Sequence, residues 1–518
     1  MAVTAAVIGL GAGGLVSLKN LKEQGFDVTG FERSSYIGGL WRYSDSDQLS
    51  VLSTTVVNIS KERGCFTDFP YSDSVPSYPT AAQVHQYLLS YAKHFDLEPH
   101  FRLSAPIQQV IFDDDRNQWI VKIEGESDKY FDKVLVAIGG MVGQPSTPFI
   151  GGFDKFQGTS IHARHFKRPA DFSDKRVMVV GFGNSAADTA TQLVGVASKI
   201  YLAHRHGAHV LPRIINGAPI DHTHSLRLFN LQVLVMKYFP LAGERFFNNF
   251  VKGLQNKSFN LRPEWGFEPA QKVPIVSDNL VDYLESGHIE STKGVKCILD
   301  NNTVELDDGR RVEVDAVVWC TGYKADFSIV DPRFDPTAPT TPAWSAAQGS
   351  NGKAMFNLWH NVFSAEKPDS LAFIGNVHLT LGGFPIFDMA SMAVAQVWKG
   401  NSQLPSKEQI EREVSLHHDW LADLASRGHN VSPGNVDSGP WLRAMDDLGG
   451  TGVNEYLGYG WKGWWFWLRN MRFCNLLMGG IWSPCIYRVF EGKRKPWYGA
   501  RKAIENVNAK KAETRKSK

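Results

Sequence analysis

The sequence predicts an α/β protein made of two Rossmann-like dinucleotide-binding domains, the second inserted in the first. Three observations carry this. A short apolar run at residues 5–8 meets Gly9, Gly11 and Gly14 in the spacing GxGxxG, ahead of helical periodicity over 15–24. A second apolar run, β-branched and at 176–180, meets Gly181, Gly183 and Ala186 in the spacing GxGxxA, ahead of helical periodicity over 187–196. Each module also has a late strand that breaks at glycine, KVLVAIGG at 133–140 and AVVWCTGY at 316–323. Strand, glycine turn and helix in that order bring bare backbone up to a pyrophosphate, and the small third residue lets helix and strand pack closely. Its occurrence twice implies one dinucleotide per module, with the two sheets facing across a cleft.

Composition sets the background. The 518 residues are 43% hydrophobic and 21% charged with a net charge of +2, an ordinary globular balance with room for several cores. No basic stripe argues for nucleic acid. Five scattered cysteines form no CxxC pair, which disfavours a disulfide framework or a thiolate zinc site and fits a reducing compartment, the cytoplasm. The first strand begins almost at Met1, so no signal peptide is expected, and no apolar run approaches the ~18 residues of a membrane span.

Along the chain, the first module continues with a strand at 26–31 that ends in Glu32. A carboxylate roughly 20 residues past the glycines accepts both hydroxyls of an adenosine ribose, so this module, with Gly13 inside its turn, reads as the FAD site. In the second module Asn184 and Ser185 lie inside the turn, and the strand at 199–203 runs into His204-Arg205-His206. Arg205 can grip a ribose phosphate through parallel hydrogen bonds where a glutamate would repel it, so this module reads as the NADPH site. A return strand at 371–375 and a helix at 387–399 come after the second module. The expected partition is 1–168 with 325–460 for FAD, and 169–324 for NADPH. Residues 207–270 form an insertion capping the cleft, and 461–518 an aromatic segment with a basic tail, disordered from 509.

Between the two turns lies FQGTSIHARHF at 156–166. Together with the paired fingerprints it resembles the flavin-containing monooxygenases over nearly the whole chain. Phe156, Gly158, His162 and Phe166 match that family's signature FxGxxxHxxx(F/Y). Baeyer–Villiger relatives carry tryptophan in the last position. ERSSYIGGLWRY at 32–43 and NISKERGCFTDFPY at 58–71 look like family blocks around the flavin, and CTGY at 320–323 stands where ATGY is usual. The resemblance implies cofactor contacts at Gly39, Leu40, Trp41, Thr321 and Gly322, and an active-site asparagine at Asn58. It also implies the chemistry: NADPH reduces FAD, oxygen adds to form a hydroperoxyflavin, and a soft amine nitrogen or sulfide sulfur takes the distal oxygen. Oxygenation of a ketone, an NADPH oxidase and a non-catalytic flavoprotein stay as alternatives. A flavin disulfide reductase lacks its closely spaced cysteine pair, only Cys65 lying near the first fingerprint.

Two features have plainer readings. His162 reads as a core histidine bonded to backbone, and the histidines at 204, 206, 209, 222 and 224 lack the carboxylate or cysteine pattern of a metal site, so no metal is expected. The tryptophans at 461, 464, 465, 467, 482 and 497 read as an aromatic segment packed over the cleft, with at most peripheral membrane contact as the other reading. Homo-oligomerisation is left open.

Overall fold

The computed structural model describes residues 2–516 apart from Asp47, Gln271, Lys272, Pro339, Thr380 and His429. Its two main sheets repeat one plan. In the first, the buried strand Thr4–Ile8 lies between Asp27–Phe31 and Lys133–Val136, parallel to both. The sheet continues through Leu371–Phe373, also parallel, and ends in two short antiparallel strands at Leu358–Trp359 and Phe363–Ser364. In the second, Arg176–Val180 lies between Lys199–His204 and Ala316–Trp319, with Ile289–Lys293 and Thr159–His162 outside them, and every pairing is parallel. Helices cover both faces, which is why the central strands are continuous Val, Ile and Ala runs without alternation. In each sheet the chain leaves the glycine-bearing strand and returns on its other side, so both glycine turns sit at a topological switch point, where open α/β sheets bind ligands.

The repeat extends further than the fingerprints. A three-stranded antiparallel meander precedes each late strand, at residues 107–131 in the first module and 295–313 in the second. The signature has a structural explanation too. Its strand Thr159–His162 is the edge strand of the second sheet, pairing with Ala316–Trp319, although the sequence groups it with the first domain. A Cβ on Gly158 would come within 2.4 Å of the Asp315 carbonyl, and Phe166 is fully buried in the second module's core.

Helix Ala12–Glu23 begins three residues before the periodicity suggests, and the helix expected at 387–399 spans Gly383–Trp398. Glycines at these starts leave no apolar period to read. The C-terminal segment is less separate than its composition implies. Trp482, Cys485, Ile486, Tyr487 and Phe490 join the first module's core. Arg488 and Arg494, 3% and 2% exposed at the side chain, pair with Glu23 and Asp68, which also hold Lys19. The basic tail is helical through Lys516 where disorder is expected, because its Ala, Lys and Glu residues are strong helix formers.

Candidate active site

At the first turn Gly9 has φ +93°, and a Cβ there would sit 2.7 Å from the Ala137 carbonyl oxygen; a Cβ on Gly14 would lie 1.8 Å from that of Gly9. Gly11 is different: its Cβ would meet only Gly39 Cα at 3.7 Å. The helix that starts at Ala12 has no side-chain cap, so its first N–H groups, including that of Gly13, remain available to an anion. Glu32 is 8% exposed and held in place, one carboxylate oxygen accepting from the Leu10 amide at 2.9 Å and the other from Ser34 at 3.0 Å. The turn Gly39–Trp41 folds back on the glycine loop, the Gly38 amide donating to the Leu10 carbonyl at 2.9 Å. Gly39 is thereby brought against Gly11, and Leu40 and Trp41 onto the wall of a cavity of about 460 Å³.

That cavity lies between the modules. From the first it takes Asn58 and the start of helix Gly383–Trp398; from the second, Asn184, Ser185 and Asp188. Apolar side chains such as Leu52, Val57, Phe384 and Phe387 make up much of its wall. The helix start is uncapped, and Gly382 packs so closely on the 58–64 loop that a Cβ there would be 3.2 Å from Gly64 Cα. Burial pushes the Asp188 carboxyl up to about 6, against a smaller downward pull from Arg213.

At the second turn Gly181 has φ +126° and no room, a Cβ falling 2.4 Å from the Cys320 carbonyl oxygen, whereas a Cβ on Gly183 would meet nothing within 4 Å. Ala186 is fully buried against the sheet. Asn184 accepts from the Val276 amide at 3.0 Å through Oδ1. Arg205 follows the strand as expected, but its guanidinium already donates to the Val295 carbonyl at 2.9 Å and faces Asp307 at 3.3 Å. Beside it His204, Lys293 and Arg310 line a second, small pocket. Thr321 and Gly322 are engaged within the protein: the Thr321 hydroxyl donates to the Ser146 carbonyl at 2.5 Å, and the Gly322 carbonyl accepts from Ser146 N and His162 Nε2. It is their neighbour Tyr323 that lines the main cavity. The Arg164 amide donates to His162 Nδ1, so the imidazole is the neutral Nε2–H tautomer, a core histidine that latches this turn.

Sequence reasoning missed Arg213, which is 9% exposed and donates to Asn58 Oδ1 at 2.9 Å. It lies in the insertion, without motif or periodicity around it. The tertiary fold also brings together two cysteines far apart in the sequence: the neighbouring Cys485 and burial push the Cys65 thiol well above its usual pKa. A protonated, buried sulfur is not the thiolate a disulfide reductase needs. His204 stacks on Phe182 and pairs with Ser291, His222 pairs with Glu62, and His224 faces Trp482. Among the described residues no three His, Cys, Asp or Glu side chains are grouped to hold a metal. The tryptophans divide: Trp482 is buried, but Trp461, Trp464 and Trp465 are 75%, 58% and 49% exposed, so this part of the segment does not pack over the cleft.

Two uncapped helix starts behind sterically required glycines, one beside a fixed carboxylate and one beside an arginine, fit two dinucleotides and define a flavoprotein oxidoreductase of the two-dinucleotide class. The flavin-binding monooxygenase-like family matches residues 2–517, and this chain belongs to it. It is 44% identical to the monooxygenase aurF of Gibberella zeae over 98% of this chain and 97% of that one. Two solved structures share the fold: S-allyl-L-cysteine S-oxygenase from Allium sativum (TM-score 0.62, 20% identity, 86% of this chain and 88% of that one) and cyclohexanone monooxygenase in its closed form (0.61, 16%, 86% and 97%). The protein is an NADPH-dependent flavin monooxygenase that uses FAD and molecular oxygen.

Proposed function

We propose that the enzyme oxygenates a soft nucleophile, an amine nitrogen or a sulfide sulfur, in the cavity between its modules. The observation that carries this is one largely apolar cavity lined by Leu40 and Trp41 of the first module, by the second glycine-turn helix, by the start of helix Gly383–Trp398 and by Asn58. FAD would be held by Gly9, Gly11, Gly13, Gly14, Glu32, Gly39, Leu40 and Trp41. NADPH would be held by Gly181, Gly183, Asn184, Ser185, Ala186 and Arg205, with Thr321 and Gly322 shaping the turn beside it. Bound FAD would supply the redox chemistry, with NADPH as the reductant and oxygen as the oxidant, one oxygen atom entering the substrate and the other leaving as water. The chain's share is positioning: Phe384, Phe387 and Trp41 exclude water, the start of helix Gly383–Trp398 favours negative charge, and Asn58 hydrogen-bonds at the reacting centre. The domain partition follows the cofactors, residues 1–168 with 325–460 serving FAD and 169–324 serving NADPH.

Oxygen-18 gas supplied with NADPH and a panel of amines, sulfides and ketones tests this. Label in an N-oxide or S-oxide is the expected result. Label in an ester from a ketone selects the alternative, Baeyer–Villiger oxygenation. Hydrogen peroxide as the sole oxygen product across the panel leaves an NADPH oxidase and removes the proposal.

We also propose a cytoplasmic enzyme with peripheral membrane contact at most, through helices Leu226–Tyr238 and Pro240–Ser258 and residues 459–471. Leu231, Leu234, Phe239 and Phe246 are exposed there, as are Trp461 and Leu468, beside Lys462 and Arg469. Among the described residues no helix is long and apolar enough to cross a membrane. Flotation with phosphatidylserine-containing vesicles, compared between wild type and a Trp461→Ser/Trp464→Ser/Trp465→Ser variant, measures the contact. Concentration-dependent dimerisation lost in the same variant would assign the face to a second copy instead.

A further inference from the structure

The insertion is tied to the loop that carries Asn58. Arg213 reaches from the insertion into that loop, its Nε donating to the Val57 carbonyl at 2.9 Å. One terminal nitrogen donates to both the Val56 carbonyl and Asn58 Oδ1, each at 2.9 Å. The other faces Asp278 Oδ2 at 2.8 Å, while the Arg213 amide donates to Asp278 Oδ1 at 2.8 Å. Asp278 follows Val276 by two residues, and the Val276 amide is bonded to Asn184, the first residue of the helix at the second glycine turn. Hydrogen bonds and two residues of chain thus run from the NADPH turn to Asn58.

We infer that Arg213 is a positioning residue that fixes the Asn58 amide as a hydrogen-bond donor to the cavity and takes its own orientation from the NADPH turn through Asp278. This rests on the proposal that Asn58 faces the reacting atoms. A guanidinium carries donors only, so the amide must present its oxygen to Arg213; the flipped amide would set N–H against N–H. The terminal torsion of an asparagine is otherwise soft and roughly two-fold. With Oδ1 held, Nδ2 occupies the other branch of the amide and has no hydrogen-bond partner among the described residues, while Asn58 lines the cavity. The amide is then preorganised to meet an acceptor there, an arrangement that needs no reorganisation during the reaction. The loop keeps a second grip on the insertion without Arg213. Ser60 N donates to Asp221 Oδ2 at 2.8 Å, and Arg63 donates to the Asp221 carbonyl at 3.0 Å. Loss of Arg213 therefore frees the amide without releasing the whole loop.

The test compares wild type with Arg213→Gln, Asn58→Ala, Asn58→Asp and the Arg213→Gln/Asn58→Ala double variant, each with FAD bound. Asn58→Asp keeps an acceptor for Arg213 and removes the donors while adding a carboxylate charge beside the guanidinium, and Asn58→Ala removes the donors without that charge. Flavin content and flavin reduction by NADPH should be retained in all four. Oxygen transfer should slow by about 10²-fold in Asn58→Asp, the scale of one lost preorganised donor, with NADPH oxidation diverted to hydrogen peroxide, and Arg213→Gln should move the same way. The double variant should equal Asn58→Ala, because a residue acting through another adds nothing once that residue is gone. Independent of turnover, NADP⁺ should slow amide hydrogen exchange at 56–64 in wild type and leave Arg213→Gln unchanged. Additive losses, or an exchange response that survives in Arg213→Gln, overturn the inference. If Asn58→Ala and Asn58→Asp both match wild type, it is the reading of Asn58 that fails; if only Arg213→Gln matches, the positioning role fails alone. Should Arg213→Gln lose FAD, Asp278→Asn carries the same comparisons, since it removes the charge that holds the guanidinium.

Discussion

Gly183→Ala separates the fold from the nucleotide. The residue is the N-cap of helix Asn184–Gln192, with φ −144° and ψ −177°, an extended conformation that alanine adopts without strain. A Cβ there would meet nothing in the protein within 4 Å, so the added methyl projects into open space at the mouth of the turn. The substitution should leave stability unchanged or raise it by about 0.4–1 kcal/mol through the unfolded chain. Any cost must then fall on a ligand whose pyrophosphate approaches the bare backbone. Displacing one charge-assisted hydrogen bond to phosphate costs about 1.5–3 kcal/mol, or about 10–150-fold in affinity. Anaerobic titration with NADPH, read from bleaching of bound flavin, should show that weakening with FAD content and thermal midpoint intact. Gly14→Ala is the contrast: its Cβ would lie 1.8 Å from the Gly9 carbonyl oxygen, so the turn itself must break and FAD be lost. Unchanged NADPH affinity in Gly183→Ala would refute the argument that the second turn cradles the nucleotide.

Arg205→Ala should weaken NADPH by about 10–150-fold and NADH little, the loss of one charge-assisted contact; equal losses in steady-state titrations would mean that its bonds to Val295 and Asp307 are structural. Asp188, held at about 6, favours the folded state most below the ordinary carboxylate range, and that advantage is lost as pH rises through about 6. Asp188→Asn should therefore melt higher than wild type at pH 8 and not at pH 4, by at most about 3 kcal/mol in nucleotide-free protein; a difference independent of pH would contradict the burial argument. Arg488→Met should cost about 3–5 kcal/mol by leaving Glu23 and Asp68 short of a buried partner, seen as a lower melting temperature and earlier flavin release. A melting temperature within 1 °C of wild type would show that Lys19 and Arg494 suffice, a threshold set by about 2–4 °C per kcal/mol for large domains.

The two turns were legible from residue order alone, because their constraints are local. Gly9, Gly14 and Gly181 have no space for a Cβ, and each helix start must leave N–H groups unpaired, so residue type and spacing are dictated within about ten residues. Glu32 and Arg205 were legible for the same reason, standing at the ends of strands adjacent to those turns. The signature was legible as a pattern, but its reason is tertiary: Gly158 yields to Asp315 and His162 to Gly322, residues far along the chain. The rest only three-dimensional packing decided. Arg213 meets Asn58 across 155 residues, and Cys65 meets Cys485 across the whole fold. Arg488 and Arg494 are aromatic-segment neighbours in sequence yet buried ions of the first module in space. Long-range polar contacts leave no periodicity, since one charged side chain needs only a partner at the right distance and the chain between them is free to vary. The exposed face of Trp461, Trp464 and Trp465 was hidden in the same way, because aromatic composition reads alike whether a helix is covered or bare.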